Sequence, residues 1–204
     1  MLRNKNISSS IILSGILFLL LGIGCNNNQE NKSYSDPAVP VDLPYTFKNK
    51  STEKLSMKAF KLREEKNFLE AINVYNEAIN NEPENPKLFF DISECYAEIN
   101  KFKEALLALD NAIKLDSLNA YFYNNRGLIY YRTNKDQNAI REYKKAIQLD
   151  SLNYVIHANL SLAYYSSNNI QSACKEFMKA KQLGLKLNEI TKQPGMKNLK
   201  QMCE

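Results

Sequence analysis

The chain has 204 residues, a formal net charge of +5 and a hydrophobic fraction of 44%, and it contains one histidine, no tryptophan and six glycines. Arg3 and Lys5 supply two of the positive charges, so the remainder of the chain carries 5 − 2 = +3. No basic run and no strip of interleaved basic and aromatic residues occurs in the sequence. This pattern argues against a nucleic-acid partner.

The amino terminus has the layout of an export signal. Arg3 and Lys5 precede an uncharged stretch, residues 6–24, whose apolar core covers residues 11–21. A core of this length is typical of a secretory signal peptide and is short for a membrane-spanning helix. The pattern predicts that residues 1–24 are a signal sequence.

The end of this stretch, Gly22-Ile23-Gly24-Cys25, resembles a bacterial lipoprotein signal, in which a cysteine after a small residue becomes acylated. Gly24 and Cys25 fit that signal, whereas Gly22 stands where Leu is usual. The resemblance implies lipid attachment at Cys25 and therefore a membrane partner. An uncleaved signal anchor that ends in a chance cysteine is the alternative.

The same resemblance bears on location. Asn26 occupies the second place of the processed chain, where Asp would imply inner-membrane retention. We therefore expect a lipid-anchored protein of the bacterial cell envelope, at the outer membrane. Whether the domain faces the periplasm or the cell exterior stays open.

Residues 25–50 are rich in Asn, Ser, Lys and Pro and have few apolar runs. Such a composition buries too little apolar surface to offset the entropy of ordering the chain. We predict that this segment is a flexible tether.

A periodic pattern begins after residue 51. Ala71, Ala105, Ala139 and Ala173 recur every 34 residues, and columns of small and of large side chains recur with them. Spacings of three, four and seven within each copy are typical of helix faces. A fixed period of this size predicts stacked supersecondary units. The small column comprises Ala59, Ser93, Gly127 and Ser161, and the large column that follows it comprises Leu62, Tyr96, Tyr130 and Tyr164.

This pattern resembles the tetratricopeptide repeat (TPR), whose unit is a helix–turn–helix of 34 residues. The resemblance covers residues 51–187 in four copies that begin near Thr52, Pro86, Ala120 and Tyr154. It implies an all-α, right-handed solenoid of four repeats. The proline that TPRs place in the turn between repeats appears only as Pro83.

Polar residues mark the expected helix ends. Asn85, Asn119 and Asn153 each precede a first helix, where an Asn side chain caps free backbone N–H groups. Gly184 stands where a left-handed residue would end the last repeat helix. Residues 188–204 no longer follow the repeat, and we predict that they form a C-terminal cap. Its packing residues would be Leu185, Leu187, Ile190, Met196, Leu199 and Met202.

Three cysteines remain besides Cys25. Cys174 lies in the last repeat helix and Cys203 near the end of the cap, so a disulfide between them would fasten the cap in an exported protein. The alternative is that Cys95, Cys174 and Cys203 are all reduced and buried.

Catalytic equipment is missing from the sequence. The only histidine, His157, occupies a helix-packing place of the repeat, so no nucleophile–base–orienter set can be built around it. No Gly-rich phosphate loop occurs. We therefore expect no enzyme activity, no cofactor and no metal site.

The resemblance to TPRs implies a binding surface on the first helix of each repeat. In that family, places 2, 5, 6, 9, 12 and 13 of the first helix line a concave groove that binds peptides. In copies one and two these places carry five carboxylates beside Arg63 and Lys87, whereas copies three and four are rich in Tyr, Leu and Asn. The predicted groove residues are Tyr121, Asn124, Asn125, Leu128, Tyr131, Arg132, Asn159, Leu162 and Tyr165.

The most economical interpretation is a noncatalytic scaffold at the bacterial envelope that binds an extended segment of a protein partner. The apolar part of that segment would lie over copies three and four, and its basic groups over copies one and two. The alternative is an assembly factor for an outer-membrane machine that inserts β-barrels or secretes pili. Partner identity, pathway and oligomeric state stay open.

Overall fold

The chain is a row of helix pairs. The computed structural model describes residues 45–186, 188 and 194–204, which all lie in one compact unit, Lys32–Glu204. The predictions for the signal, for Cys25 and for most of the tether, as well as those for Leu187 and Ile190, lie outside the described residues. The described part is helical and has no strand. Its helices are α1 (Lys50–Glu64), α2 (Phe68–Asn81), α3 (Pro86–Glu98), α4 (Phe102–Leu115), α5 (Ala120–Arg132), α6 (Asp136–Leu149), α7 (Tyr154–Ser166), α8 (Ile170–Gln182) and α9 (Pro194–Cys203).

The apolar core follows the repeats instead of forming one centre. One cluster joins copies one and two through Tyr75 and Leu88, and another joins copies two and three through Leu109 and Phe122. A third joins copies three and four, and a fourth joins copy four to α9. The predicted all-α repeat fold is confirmed, because each helix pair buries its apolar face against the next pair.

Each repeat turns between its two helices through one residue with positive φ. These residues are Lys66 (60°), Asn100 (60°), Asn134 (58°) and Asn168 (61°). The N–H of the next residue then donates to a carbonyl near the end of the first helix, as from Lys135 to Tyr130 at 2.8 Å. This is the Schellman closure of a helix end. Asn tolerates the left-handed conformation better than most residues, whereas copy one places Lys66 there.

The predicted helix caps are confirmed. The side chains of Asn85, Asn119 and Asn153 accept hydrogen bonds from backbone N–H groups two residues ahead, at 3.2, 2.9 and 3.1 Å. Gly184 has φ 117° directly after the end of α8. The sequence pattern therefore located the starts of α3, α5 and α7 and the end of α8.

The small column permits close approach of the paired helices. Gly127 on α5 faces the ring of Tyr143 on α6, and a Cβ atom at Gly127 would lie 2.8 Å from Cε1 of that ring. Ala139 on α6 is fully buried in the same cluster as Tyr143. In copy three, a small residue thus stands where the paired helix places a ring.

The chain before α1 forms a strap of residues 45–49 across two inter-repeat loops. The Tyr45 ring stacks on Phe122 at 6.2 Å between centroids, and its hydroxyl donates to Asp116 and accepts from Asn119 at 3.1 Å. Burial, followed by the bond to Asp116, raises the pKa of Tyr45 to about 12. Phe47 packs against the first apolar cluster. Residues 45–49 therefore differ from the expected flexible tether up to residue 50, because the aromatic side chains of Tyr45 and Phe47 pack against apolar residues of the repeats.

Glu82, at the end of α2, holds the other end of the strap. Its carboxylate accepts from the backbone N–H groups of Lys48 and Asn49 at 3.1 and 2.9 Å. Asn49 in turn caps α1 by accepting from the N–H of Thr52 at 2.7 Å, so α1 begins at Lys50, two residues before the predicted start of copy one. Desolvation of Glu82 would raise its pKa, but the donated hydrogen bonds outweigh it and lower the pKa.

The C-terminal segment caps copy four. Helix α9 begins at Pro194, buries Met196 and Leu199 against α7 and α8, and leaves Met202 exposed. Cys174 and Cys203 form a disulfide with their Cα atoms 5.3 Å apart, so α9 is tied covalently to α8.

A first prediction concerns Gly127. Replacing Gly127 with Ala adds about 1 kcal/mol of helix propensity but forces a Cβ into the Tyr143 ring, at a cost of about 1–3 kcal/mol. We expect the free energy of unfolding, measured in urea, to fall. Gly127→Ala should destabilise the protein less in a Tyr143→Leu background than in the wild type, because the ring that the new Cβ would meet is gone. The relevant comparison is the double variant Gly127→Ala/Tyr143→Leu against Tyr143→Leu alone. Equal effects of Gly127→Ala in both backgrounds would contradict the contact.

A second prediction concerns pH. Because the folded pKa of Glu82 lies below its ordinary value of 4.5, its stabilising effect is present above pH 4.5 and disappears as the pH falls through the folded pKa. The variant Glu82→Gln should therefore be less stable than the wild type by about 1.5 kcal/mol at pH 7, a difference that vanishes in strong acid. Urea titrations at several pH values measure it. Glu84→Gln is the control, since the Glu84 carboxylate is exposed and, among the described residues, pairs with the exposed Lys48 ammonium at 3.4 Å.

Candidate functional site

The first helices α1, α3, α5 and α7 present one side of every repeat, which we call the groove face. Side chains at the predicted groove places meet each other between neighbouring first helices. Asn159 on α7 donates to Asn124 on α5 at 3.0 Å, and both amides are buried. The structure therefore brings the groove places together, and part of them serves to join the repeats.

The acidic half of the groove face is largely neutralised by its own cations. Arg63 on α1 pairs with Glu94 on α3. Lys87 pairs with Asp91 at 2.7 Å within α3. A further ion pair joins Arg132 on α5 to Glu98 on α3 at 3.6 Å. Three of the five carboxylates that the sequence assigned to this half thus have partners. Two carboxylates on α1, those of Glu53 and Glu64, belong to exposed residues.

The predicted groove residues divide into two groups by exposure. Asn124, Asn159 and Leu162 are 5%, 2% and 2% exposed, so they do not offer surface to a partner as the sequence had suggested. The other six are partly exposed, and five of them lie on α5. They are Tyr121, Asn125, Leu128, Tyr131, Arg132 and Tyr165.

Helix α9 explains why Leu162 is covered. A Cβ atom at Gly195 would lie 2.8 Å from Cδ2 of Leu162, so the backbone of α9 lies directly on this side chain. The side-chain amide of Asn198 also donates to the Tyr165 hydroxyl at 3.2 Å. The C-terminal cap therefore occupies the end of the groove face that copy four would otherwise expose.

Apolar surface is open at the opposite end. Met57 and Phe60 on α1 are 66% and 48% exposed, and the Arg63 guanidinium lies 4.9 Å from the centre of the Phe60 ring.

Tyr131 on α5 carries a neutral hydroxyl at physiological pH. Burial, followed by the carboxylate of Asp136, raises its pKa to about 12.

His157 and Cys95 are buried titratable residues that do not belong to the predicted groove residues. His157 contacts the Glu176 carboxylate through Nδ1 at 2.7 Å and the Ser151 carbonyl through Nε2 at 3.1 Å. Cys95 is a free, buried thiol, and burial raises its pKa to about 12. In the part of the chain that the structure describes, no three His, Cys, Asp or Glu side chains are grouped as a metal site.

A cleft of about 390 Å³ opens between the strap and the α2–α3 loop, but its inner carboxylate, Glu82, already accepts from Lys48 and Asn49. No helix within the described ranges is both long enough and apolar enough to span a bilayer.

Sequence comparison identifies the repeats directly. Residues 94–134 match a family model described as a TPR repeat, and residues 120–153 match a second one described as a tetratricopeptide repeat. The chain contains tetratricopeptide repeats. No curated protein sequence is significantly similar to the whole chain.

Solved TPR structures share the fold. MamA (residues 41 to the end) from Desulfovibrio magneticus RS-1 superposes with a TM-score of 0.60 at 20% identity, over 65% of this chain and 75% of that chain. The first TPR of Spaghetti (RPAP3), bound to the HSP90 peptide SRMEEVD, gives 0.55 at 22% identity over 57% and 93%. YrrB, described as a TPR protein with an unusual peptide-binding site, gives 0.55 at 13% identity over 64% and 67%.

The resemblance to TPRs did not predict that side chains at the groove places would pair with each other. Arg63 and Glu94 are 31 residues apart, and Asn124 and Asn159 are 35 apart, close to one repeat length. Contacts between successive first helices must fall near this separation, so the repeat period itself was the available signal.

Proposed function

We propose that this chain is a membrane-anchored, noncatalytic TPR scaffold of the bacterial envelope that binds an extended segment of a protein partner on its groove face. The observation that carries the proposal is the partly exposed row on α5. There Tyr121, Leu128 and Tyr131 offer apolar area, and Asn125 and Arg132 offer hydrogen-bond donors within the same helix. Tyrosine supplies large contact area at low entropy cost, and amides bond to an extended backbone.

Helix α1, the first helix of copy one, offers a second apolar surface. Met57 and Phe60 on α1 are among the most exposed large apolar side chains of the described residues, and they lie at groove places. Glu53 and Glu64 lie on the same helix. The segment that fits carries apolar side chains for α5 and for Phe60, with a basic group toward the α1 carboxylates.

The TPR neighbours support a peptide as the ligand class. The RPAP3 TPR is bound to a peptide, and YrrB has a peptide-binding site. At 22% and 13% identity these relatives share the fold with this chain, so the partner has to be sought by experiment.

A matched pair of double variants tests the groove face. Phe60→Ala/Leu128→Arg removes one exposed apolar side chain and places a charge on the α5 row. Leu69→Ala/Leu107→Arg makes comparable changes, a truncation and an added charge, at second-helix residues that are 63% and 64% exposed. Against peptides selected from a random display library on the wild-type protein, we expect the groove variant to bind at least about tenfold more weakly, which is about 1.4 kcal/mol. The control should bind like the wild type. Equal affinities of both variants would remove the groove face as the binding surface.

The lipid anchor is tested by intact mass. When the chain is expressed in a bacterium and extracted from membranes with detergent, the product should start at Cys25 and carry the mass of its acyl chains. Several acyl chains make anchoring stable, since each buried CH₂ contributes about 0.8 kcal/mol. Cys25→Ser should abolish the acyl mass. A wild-type product that retains residues 1–24 without acylation would refute the anchor.

A further inference from the structure

The second helices expose one row of residues per repeat on the side away from the groove face. These rows occupy equivalent repeat positions, and their residues are exposed except for the partly buried Asn111. They are Asn73, Asn76, Glu77 and Asn80 on α2; Leu107, Asp110, Asn111 and Lys114 on α4; Arg141, Lys144, Lys145 and Gln148 on α6; and Lys175, Met178, Lys179 and Gln182 on α8. Counting charges along the repeats gives −1, 0, +3 and +2.

The charge is therefore concentrated in copies three and four. Arg141 and Lys175 hold the same repeat position, as do Lys145 and Lys179, so four cations stand in two rows of two. We call the surface formed by Arg141, Lys144, Lys145, Lys175 and Lys179 the basic face. A net charge of +5 for the whole chain gave no sign of this segregation, because the charge is balanced elsewhere.

The carboxylates of α6 and α8 do not neutralise this face. Glu142 is 7% exposed and accepts from the Arg126 guanidinium at 2.7 Å. Glu176 contacts His157 at 2.7 Å, and Asp136, at the start of α6, accepts from the Ser166 hydroxyl at 2.7 Å. Each of these carboxylates is committed to a contact away from the exposed rows.

Two of the cations lie over aromatic rings. The Lys144 ammonium is 5.7 Å from the centre of the Tyr164 ring, and the Lys145 ammonium is 5.9 Å from that of Tyr123. Such contacts orient a flexible lysine side chain while its ammonium stays in contact with solvent. Met178, 39% exposed, provides an apolar side chain among the cations of α8.

We propose that the basic face docks on an anionic phospholipid bilayer. The inference rests on the proposed membrane anchor, which would hold the chain next to lipid headgroups. One lipid anchor combined with a basic patch is a recognised way to fix a protein on a membrane surface. Clustered cations bind anionic headgroups, and an exposed apolar side chain among them suits a bilayer better than it suits a nucleic acid.

This docking would orient the scaffold. The basic face belongs to the second helices and the groove face to the first helices, which are the two sides of each pair. A bilayer on the basic face therefore leaves Phe60 and the α5 row open to a partner.

The test uses residues 45–204 and vesicles. The four described apolar clusters and both disulfide cysteines lie within this fragment, so we expect it to fold without the amino-terminal segment, which circular dichroism checks. The probes are vesicles of phosphatidylcholine with about 30% phosphatidylglycerol and vesicles of phosphatidylcholine alone. We expect the fragment to sediment with the anionic vesicles at low salt and to dissociate as the ionic strength rises.

Two charge-reversal variants decide whether the face is specific. Arg141→Glu/Lys175→Glu should weaken binding at least tenfold. Lys54→Glu/Lys58→Glu changes the net charge equally at exposed residues of α1 and should bind like the wild type. Circular dichroism checks that both variants are folded.

Three results would overturn the proposal: no binding by the wild-type fragment, equal binding to neutral vesicles, or equal losses in the two variants. Because the fragment lacks Cys25, these results are independent of acylation. A failure of the lipid anchor would appear in the mass measurement instead.

Discussion

The close approach of paired helices is the constraint on which this structure depends. A helix pair buries its apolar face most closely where one helix offers a small side chain to a large one on the other, as Gly127 does to Tyr143. Small residues also recur on the second helices, where the alanines at 71, 105, 139 and 173 are all fully buried. The 34-residue period is the sequence record of that contact, because each unit stacks on its neighbour in the same way.

Stacking also determines what the groove face can recognise. Successive first helices are joined through Arg63–Glu94, Arg132–Glu98 and Asn124–Asn159, so these side chains serve the fold before they serve a ligand. Removing one partner of such a contact would leave a poorly solvated polar group behind. Under the proposed function, recognition would fall to the apolar and aromatic side chains of α5 and to the apolar end of α1. A partner in the proposed function would contact aromatic side chains that are flanked by charges already held in ion pairs.

The sequence predicted the repeats and their ends well, because both depend on local chemistry. Asn119 caps a helix through a bond to a backbone N–H only two residues away, and such local bonds have local signatures. The turns between the paired helices carry a further sequence signal, which aligning the repeats on their alanines did not bring out. Asn100, Asn134 and Asn168 recur at the same period, and each adopts the left-handed conformation that Asn tolerates.

What the sequence did not predict depends on contacts between distant parts of the chain. The strap has a polar composition, yet the Tyr45 ring stacks on Phe122 and its hydroxyl donates to Asp116. These two partners come together with the strap only once the repeats are stacked. Likewise Leu162 occupies a groove place by repeat position, but α9 covers it, and α9 lies outside the repeat pattern. The position of a residue within the repeat predicts on which face of its helix it lies, whereas its exposure also depends on which segment packs against that face.

The same distinction separates the two charged surfaces. The sequence showed five carboxylates at the groove places of copies one and two, whereas the cations of α6 and α8 did not stand out, since charges of both signs are spread along the chain. In the fold, cations on the groove face meet carboxylates across neighbouring helices, while the carboxylates of α6 and α8 turn to Arg126, His157 and Ser166. The outer rows therefore keep an electrostatic field that the groove face loses. A field of that kind acts over about 8 Å at physiological ionic strength, a range that suits the proposed anionic surface, whereas a partner on the groove face would have to be discriminated by direct contact.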